Sequence, residues 1–427
     1  MKRISVVTLG CKVNQYDTAV LLNQLPKSKY IKNKKYNDRA DIYIIDTCTV
    51  THKADSEARN YIYRAKRSNP EAVVVVTGCY AQVSHDELNQ VEGVDYIIGN
   101  SHKSSSLLKV IREAKTQVKP KIYISDIFKE KKRKFDTPDI NYFPDRTRAF
   151  LKVQDGCNYA CTFCIIPRAR GRSRSLDIDS IKSRIKNLKS HGYKEVVLTG
   201  IHLASYGRDI GTDFLNLLKE LDKEKIINRI RLSSLDPADM NEDIINFCAD
   251  SEIICPSFHI ALQSGDEFIL KKMRRRYKPK DFIHCTDYIR KRIPVASIGT
   301  DVMVGFPTES ESLFNNTYNL VNESELTYFH VFPYSVRKNT AAAVMDGQID
   351  PTAKKERGRK LRELGSRKKI KFYKNFIGKE LNTLVESKSR GTTDNYINVK
   401  IMSDKYNIGD EVMVKIKNIV GEQAISI

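Results

Sequence analysis

The chain of 427 residues predicts an α/β protein in three parts. These are a doubly wound parallel-sheet N-terminal domain over 1–135, a partial parallel (β/α)6 barrel over 140–372, and a small C-terminal β-barrel of oligonucleotide-binding type over 373–427. Three observations carry this division. Apolar runs alternate with helix-period segments through the first part, six further β/α units follow at a spacing of about 35 residues, and from Leu381 the pattern shortens to alternating strands broken at glycines.

In the first part Ile4 to Leu9 precedes a helical pattern over Gln15 to Leu25, and Asp41 to Ile45 precedes Ala54 to Ser68. Ala72 to Val76 then precedes Ser84 to Val91, and Tyr96 to Ile98 precedes Ser104 to Ala114. A run such as Val73-Val74-Val75-Val76 suits a strand covered on both faces, which places helices on both sides of a parallel sheet. Ligands of such sheets bind beyond the carboxyl ends of the strands. Cys11, Cys48 and Cys79 each occupy that position, so three thiols distant in sequence are expected to converge on one sheet edge. The alternative reading of each is a small buried hydrophobe, which is what Cys248, Cys255 and Cys285 suggest.

Lys129 to Arg148 is polar and contains proline, as a linker does. The α/β rhythm resumes with strand-like Ala149 to Val153, Glu195 to Thr199, Ile230 to Ser233, Phe258 to Leu262, Ser297 to Val304 and Tyr328 to Phe332. Directly after the first of these comes Cys157-x-x-x-Cys161-x-x-Cys164. Structural zinc takes four ligands, and the next histidine, His191, is far along the chain. A disulfide pair suits a secreted protein, but Met1-Lys2-Arg3 runs straight into a strand with no secretory apolar core. Three thiolates on a four-iron cluster leave one iron open to bind a small molecule. A cytoplasmic protein with reduced cysteines is therefore expected.

The tail reads as strands at Leu381 to Val385, Tyr396 to Met402, Val412 to Ile416 and Gln423 to Ile427, with Gly391-Thr392-Thr393 and Asn407-Ile408-Gly409 as breaks. Its composition is nearly neutral, so an RNA-contacting module and a structural cap are both open for it. The whole chain carries a formal net charge of +21, from 73 Lys and Arg against 52 Asp and Glu. That favours a polyanionic partner, nucleic acid before membrane, because no apolar stretch approaches the roughly 18 residues of a span. Lys129 to Lys134, Arg274 to Arg276 and a basic helix from Lys354 to Lys374 read as solvated faces. Arg168, Arg170, Arg172 and Arg174 stand apart because they begin four residues after Cys164, where they are placed to meet backbone phosphates.

With these residues in view, the chain resembles the radical S-adenosylmethionine methylthiotransferases over nearly its whole length. The resemblance rests on Gly10-Cys11-Lys12-Val13-Asn14-Gln15, Asp46-Thr47-Cys48-Thr49-Val50, Gly78-Cys79-Tyr80-Ala81-Gln82, and Gly156-Cys157 through Cys164-Ile165-Ile166-Pro167. Leu198-Thr199-Gly200-Ile201-His202 and His330-Val331-Phe332-Pro333-Tyr334-Ser335 look most like the subgroup that acts on N6-threonylcarbamoyladenosine in tRNA. Subgroups acting on isopentenyladenosine or a ribosomal-protein aspartate are the alternatives. Two departures stand out: Thr308 in Pro307-Thr308-Glu309 where the family usually has glycine, and Arg168 where it usually has an aromatic.

The resemblance implies a methylthiotransferase domain, a radical barrel and a C-terminal TRAM domain. It implies two 4Fe–4S clusters, one on Cys157, Cys161 and Cys164, the other on Cys11, Cys48 and Cys79. S-adenosyl-L-methionine would chelate the open iron of the first and yield a 5′-deoxyadenosyl radical, able to take hydrogen from an unactivated adenine carbon. The second would hold the sulfur to be transferred. Phe163, Thr199, Gly200, Ser234 and Gln263 would line the cofactor's pocket, with Ser233, Ser264 and Gly265 beside them, while His202 and His259 flank it and read equally well as structural. The expected partners are the anticodon loop of tRNA, whose bases splay out readily, and an electron donor such as flavodoxin or ferredoxin, with no membrane. A non-catalytic iron-sulfur RNA-binding protein is the competing class, and formation of 5′-deoxyadenosine separates the two.

Overall fold

The computed structural model describes residues 1–129, 135, 137–143, 146–403 and 405–426, so the basic run from 130 to 134 and part of the expected linker lie outside the described residues. The chain forms two compact units. One comprises 1–142, 154–174 and 335–343, the other 143–153, 175–334 and 344–427.

The first unit is built on six parallel strands: β1 (Lys2–Thr8), β2 (Tyr30–Lys32), β3 (Ile42–Thr47), β4 (Val73–Gly78), β5 (Tyr96–Gly99) and β6 (Lys121–Tyr123), in the order β2-β1-β3-β4-β5-β6. The helices are α1 (Lys12–Gln24), α2 (His52–Ser68), α3 (Cys79–Val83), α4 (His85–Asn89) and α5 (Lys103–Glu113). Every residue of β3 and β4 is buried. Tyr43, Ile45, Val74 and Val76 pack with Ala58, Ile62 and Ala65 of α2 on one face. Ile42, Ile44, Val73 and Val75 pack with Leu21 of α1 and Leu107, Val110 and Ile111 of α5 on the other. At roughly 1.5–3 kcal/mol for each large aliphatic chain buried, this two-sided core fixes the sheet and hence the positions of its strand ends. The strand order reverses between β1 and β3, the switch point where doubly wound sheets open a crevice.

The second unit carries β7 (Arg148–Lys152), after which the chain makes two two-residue strands, β8 (Gln154–Asp155) and β9 (Arg174–Ser175), flanking helix α6 (Ile166–Arg170). It continues with β10 (Glu195–Thr199), β11 (Arg229–Leu232), β12 (Ser234–Leu235), β13 (Ser257–Ile260), β14 (Ser297–Val304) and β15 (Tyr328–Pro333). The strands β7, β10 and β11 form one parallel sheet, and β12 to β15 form another. Only Ser233 separates β11 from β12, so the six expected strands are present, the third of them broken at one residue. Helix α7 (Pro351–Lys374) covers β15.

The tail is a closed barrel of β16 (Glu380–Ser387), β17 (Arg390–Thr393), β18 (Asn398–Lys400), β19 (Glu411–Val420) and β20 (Gln423–Ser426). The expectation of a break at Gly391-Thr392-Thr393 is corrected: these residues form β17. Gly391 is required in it, because a Cβ there would stand 2.5 Å from Thr383 Cγ2 and 2.8 Å from the Leu384 carbonyl, while the threonines suit a strand.

The tail is clamped to the barrel strands through Glu195, which is fully buried. Arg231 donates to its carboxylate at 2.7 and 3.2 Å, and Arg229 approaches to 2.9 Å. The same guanidinium of Arg231 donates to the carbonyls of Asp394 at 2.8 Å and Thr393 at 3.1 Å, and Arg229 to Thr392 at 3.4 Å. Burial pushes the Glu195 carboxyl up, but Arg231 and Arg229 outweigh it and hold the group below the usual carboxylate range. Glu195→Gln, which leaves two buried arginines undercompensated, is expected to cost about 3–5 kcal/mol in chemical denaturation. A depressed folded pKa stabilises above the unfolded value of about 4.3. The penalty is therefore expected in full near neutral pH and shrinks as pH falls below that value toward the folded one.

Thr308 adopts φ +71°. Its amide donates to the Gly347 carbonyl at 2.8 Å, and its buried hydroxyl has no partner among the described residues. A β-branched residue in this region is strained. Thr308→Gly is expected to raise stability by about 1 kcal/mol in the same assay.

Candidate active site

Cys11 caps the N-terminus of α1, Cys48 follows β3 and Cys79 opens α3. Registers of Thr8 with Asp46 and Thr47 with Gly78 set the three strand ends side by side. Gly10, at φ +88°, is what lets them close up: a Cβ there would stand 2.5 Å from Cys48 Cβ and 2.7 Å from its Sγ. Asn14 of α1 ties the first two turns together by donating to the carbonyls of Leu9 at 3.0 Å and Thr47 at 2.9 Å. Cys11 is exposed, whereas Cys48 and Cys79 are buried. Burial, then the neighbouring Cys79, pushes the Cys48 thiol up to about 12. Burial raises Cys79 too, opposed by Arg170 and by Asn100, whose amide stands 3.6 Å from Cys79 Sγ.

The loop of Cys157, Cys161 and Cys164 belongs to the same unit, and all three are half-buried. Cys157 donates its amide to the Gly171 carbonyl at 3.0 Å, Cys164 to that of Cys161 at 3.0 Å, and Tyr159 donates to Cys157 Sγ at 3.4 Å. Gly156 allows the close approach of the returning chain, since a Cβ there would stand 2.1 Å from the Arg172 carbonyl. Gln154 donates to the Gly156 carbonyl at 2.7 Å and to Ser173 Oγ at 2.9 Å.

Three connections join the two cysteine sites. Arg170, 2% exposed, donates to Asp155 at 3.1 Å, to Asp17 at 3.2 and 3.3 Å, and to the side-chain oxygen of Asn14. Burial works against its charge, but Asp155, Cys79, Asp17 and Cys11 more than offset it. Asn100 donates to the Ala169 carbonyl at 2.9 Å as well as facing Cys79. The segment 335–343 touches both loops: Arg337 donates to Asp55 and to Thr49 Oγ1 at 3.4 Å, and Ala342 donates to the Thr162 carbonyl at 2.8 Å.

The arginine series is thereby corrected. Arg168 and Arg172 are exposed, as phosphate contacts must be. Arg170 is buried in the clasp just described, and Arg174 pairs with Asp155 at 3.3 Å, so neither is placed to meet a phosphate. Asn14, Asp17, Asn100, Asp155 and Arg337 were not singled out by sequence as site residues, because their partners are far away along the chain; only Asn14 lies in a motif.

Phe163 is half-buried within the cysteine loop. In the second unit Thr199 ends β10 and Gly200 follows it, while Ser234 is exposed at the start of β12. Gln263 stands at φ +65° beyond β13, its amide donating to the Asp301 carbonyl at 2.8 Å. His202 Nε2 lies 3.4 Å from Asp239 and 3.6 Å from Asp236. These carboxylates are engaged by Arg275 at 2.6 Å, Arg208 at 2.8 Å and Arg276 at 2.9 Å, so this is an ion-pair cluster and not a cation site. Cys248, Cys255 and Cys285 are buried core thiols.

The class follows from comparison. Residues 151–321 match the model of the Radical SAM superfamily, and residues 3–99 that described as Uncharacterized protein family UPF0004. A solved radical S-adenosylmethionine methyltransferase, TsrM from Kitasatospora setae, shares the fold with a TM-score of 0.59 at 14% identity, over 81% of this chain and 77% of that one. Threonylcarbamoyladenosine tRNA methylthiotransferase MtaB of Aquifex aeolicus is 45% identical over 93% of this chain and 96% of its own length. The Bacillus subtilis protein of the same name is 38% identical over 97% and 94%. A tRNA-2-methylthio-N(6)-dimethylallyladenosine synthase of Clostridium tetani is 34% identical over 96% and 93%. The chain belongs to the family of radical S-adenosylmethionine tRNA methylthiotransferases.

Membership implies S-adenosylmethionine and a 4Fe–4S cluster, and the residues fit such a group. Each cysteine set offers three soft donors and, among the described residues, no fourth. Gly10 leaves the space at Cys48 that a side chain would fill. Arg170 Nε is a buried donor without a partner among the described residues, beside Cys79 and Cys11, and an anionic group held there would satisfy it. Arg170→Met is expected to destabilise even the iron-free protein by about 3–5 kcal/mol, since it strands the buried carboxylates of Asp17 and Asp155. Arg170→Lys, which keeps the charge but not the fork, should lose about half of that. Thermal or denaturant unfolding of the apo-protein checks both.

Proposed function

We propose that the protein methylthiolates carbon 2 of N6-threonylcarbamoyladenosine at position 37 of tRNA, giving 2-methylthio-N6-threonylcarbamoyladenosine. The observation that carries this is the presence of two separate three-cysteine sites in one compact unit, clasped by Arg170. One radical site suffices for hydrogen abstraction or methylation alone; a second open site is what a transferred sulfur requires. The substrate follows the names of relatives 45% and 38% identical to this chain, against 34% for the dimethylallyladenosine enzyme.

In this reading Cys157, Cys161 and Cys164 hold one 4Fe–4S cluster and Cys11, Cys48 and Cys79 a second. Bound there, such clusters supply one-electron reduction of a chelated sulfonium and a site for sulfur. Phe163, Thr199, Gly200, Ser234 and Gln263 bind and orient S-adenosylmethionine. Asn100 and Arg170 donate toward Cys79 and its surroundings, holding that thiolate's charge in a dry site. Arg168 and Arg172 contact phosphates of the anticodon loop. The domain extents 1–135, 140–372 and 373–427, a cytoplasmic location, and electron supply by a flavodoxin or ferredoxin complete the proposal. No helix among the described residues is long and apolar enough to cross a membrane.

Anaerobically reconstituted protein is expected to hold roughly eight irons, and the variant with Cys157, Cys161 and Cys164 all changed to Ala about half as many. Cys11→Ala, Cys48→Ala or Cys79→Ala should abolish methylthiolation while leaving some S-adenosylmethionine cleavage. Mass spectrometry of tRNA nucleosides from a strain lacking the gene tests the substrate. Loss of a methylthio-isopentenyl nucleoside instead would assign the chain to the sibling activity.

A further inference from the structure

The loop between β2 and β3 is held from within and charged on its outside. Asn33 donates its side-chain amide to Ser5 Oγ at 2.9 Å and to the carbonyls of Asp38 and Arg39 at 3.1 and 3.2 Å, and the Tyr43 hydroxyl donates to the Asp38 carbonyl at 2.9 Å. Ser68, the last residue of α2, donates to the Asn37 carbonyl at 3.2 Å. The loop backbone is thereby pinned to the sheet and to α2, while Lys34, Lys35 and Arg39 stay exposed. Asp38, the acid of this loop, accepts the Lys35 amide at 3.2 Å. A loop fixed in this way loses little freedom when its side chains meet a partner.

The last two turns of α2 add Arg64 and Arg67, also exposed. Lys66 beside them is engaged within the fold, donating to the Ala72 carbonyl at 2.7 Å and pairing with Asp95 at 3.2 Å. The side chains of Lys34, Lys35, Arg39, Arg64 and Arg67 have no acidic partner among the described residues. Like charges crowded on one ordered rim repel, and a bound polyanion relieves that repulsion. Arg67 borders two hollows, one of about 430 Å³ walled also by Asn37, Arg64 and Ser68, the other of about 840 Å³ reaching Asn60 and Tyr63. Tyr63 is 46% exposed, and the Arg64 guanidinium lies 5.4 Å over the Tyr61 ring. Arginine, lysine, asparagine and tyrosine together are the donors that nucleic-acid phosphates and sugars accept from.

This rim lies at the amino-terminal ends of β3 and β4, whereas Cys48 and Cys79 lie at their carboxyl ends. Six residues of strand set the two apart by about 20 Å. A base held at the cysteine edge brings the phosphates of its own loop with it, and a helical stem is stiff enough to hold others that far away. We propose that Lys34, Lys35, Arg39, Arg64 and Arg67 form a second RNA surface, which takes the phosphates of a double-stranded stem of the tRNA while the anticodon loop is at the cysteines. Double-stranded RNA is bound through its phosphates and shape, without reading of sequence. The inference rests on the reading of the substrate as a tRNA, and not on which modification its adenosine carries.

The test is filter binding of tRNA from a strain lacking the gene to the full-length reconstituted protein across a salt series, beside a single-stranded oligonucleotide of the anticodon loop. Lys34→Ala with Lys35→Ala, and separately Arg64→Ala with Arg67→Ala, should each weaken tRNA binding by about three- to tenfold and lower its salt slope by about one to two units. Binding of the oligonucleotide should not change. Removing two cations elsewhere, by Lys219→Ala with Lys223→Ala on the outer helix Phe214–Lys223, should leave the tRNA slope as it is. Arg64 lies on Tyr61, so its loss also touches packing; the lysine pair has no such contact and decides the case. A lysine-pair variant with the wild-type slope overturns the proposal while the substrate reading stands. So does binding of the wild type to phosphatidylserine vesicles that both variants lose with their tRNA slopes intact, which would assign the rim to a membrane surface. A wild type that fails to bind tRNA overturns the substrate reading and this surface with it.

Discussion

The site depends on one buried cation. Arg170 sits where three acidic or amide groups from distant parts of the chain meet, and its fork satisfies Asn14, Asp17 and Asp155 at once. No lysine has the geometry to do so. Taking a guanidinium out of water costs several kcal/mol, and the penalty is offset only when the counter-charges are close and well oriented. That requirement runs outward through the structure. Asn14 must face Arg170 while donating to two carbonyls, which fixes the turn carrying Cys11; Asp155 must face it while accepting the Gly156 amide, which fixes the turn carrying Cys157. One charge thereby sets the geometry of two ligand loops.

The thiols show why such a charge is needed. Burial is the largest influence on the Cys48 and Cys79 thiols and pushes both up, yet a ligand to iron must be a thiolate. Arg170, Lys103 and the Asn100 amide all act to lower Cys79, and Lys103 is itself held by Asp46 at 2.7 Å and Asp17 at 3.6 Å. The first unit thus sets Arg170, Lys103 and the Asn100 amide near Cys79, at the switch point where parallel sheets bind their ligands.

Much of this was legible from the sequence, and the exceptions have physical causes. The strands β3 and β4 declare themselves because both faces are covered, leaving uninterrupted apolar runs. The convergence of Cys11, Cys48 and Cys79 follows from the strand-end rule once the sheet is recognised. The strands β2 and β6 were not expected: they are three-residue edge strands, largely exposed and carrying lysine, so no burial pattern marks them. The break assigned at Gly391 was a strand whose glycine answers to the chain packed against it and not to a turn. Arg170 was read with Arg168, Arg172 and Arg174 as one basic series. Sequence shows four similar arginines, but only the folded chain shows that Asp17 and Asp155 have claimed two of them.

The same logic makes the C-terminal barrel a structural cap, whether or not it also contacts RNA. A free RNA-binding module is tethered by its linker and keeps its backbone groups for itself or for water. Here the carbonyls of Thr392, Thr393 and Asp394 are the acceptors of two buried arginines, and Tyr396 lies under the Arg231 guanidinium at 5.0 Å and 5.9 Å from the Tyr328 ring. Arg148 adds a contact to Glu386 at 2.8 Å. Glu195 and Arg229 open β10 and β11, and Arg231, two residues further along β11, bonds to Glu195, so the turn after β17 lies toward the end of these strands opposite to the one from which Thr199 and Gly200 emerge. Without that turn Arg231 would keep Glu195 but lose the carbonyls of Thr393 and Asp394. The cap is therefore part of the barrel's own electrostatic balance, and any contact it makes with RNA must use the surfaces that the turn leaves free.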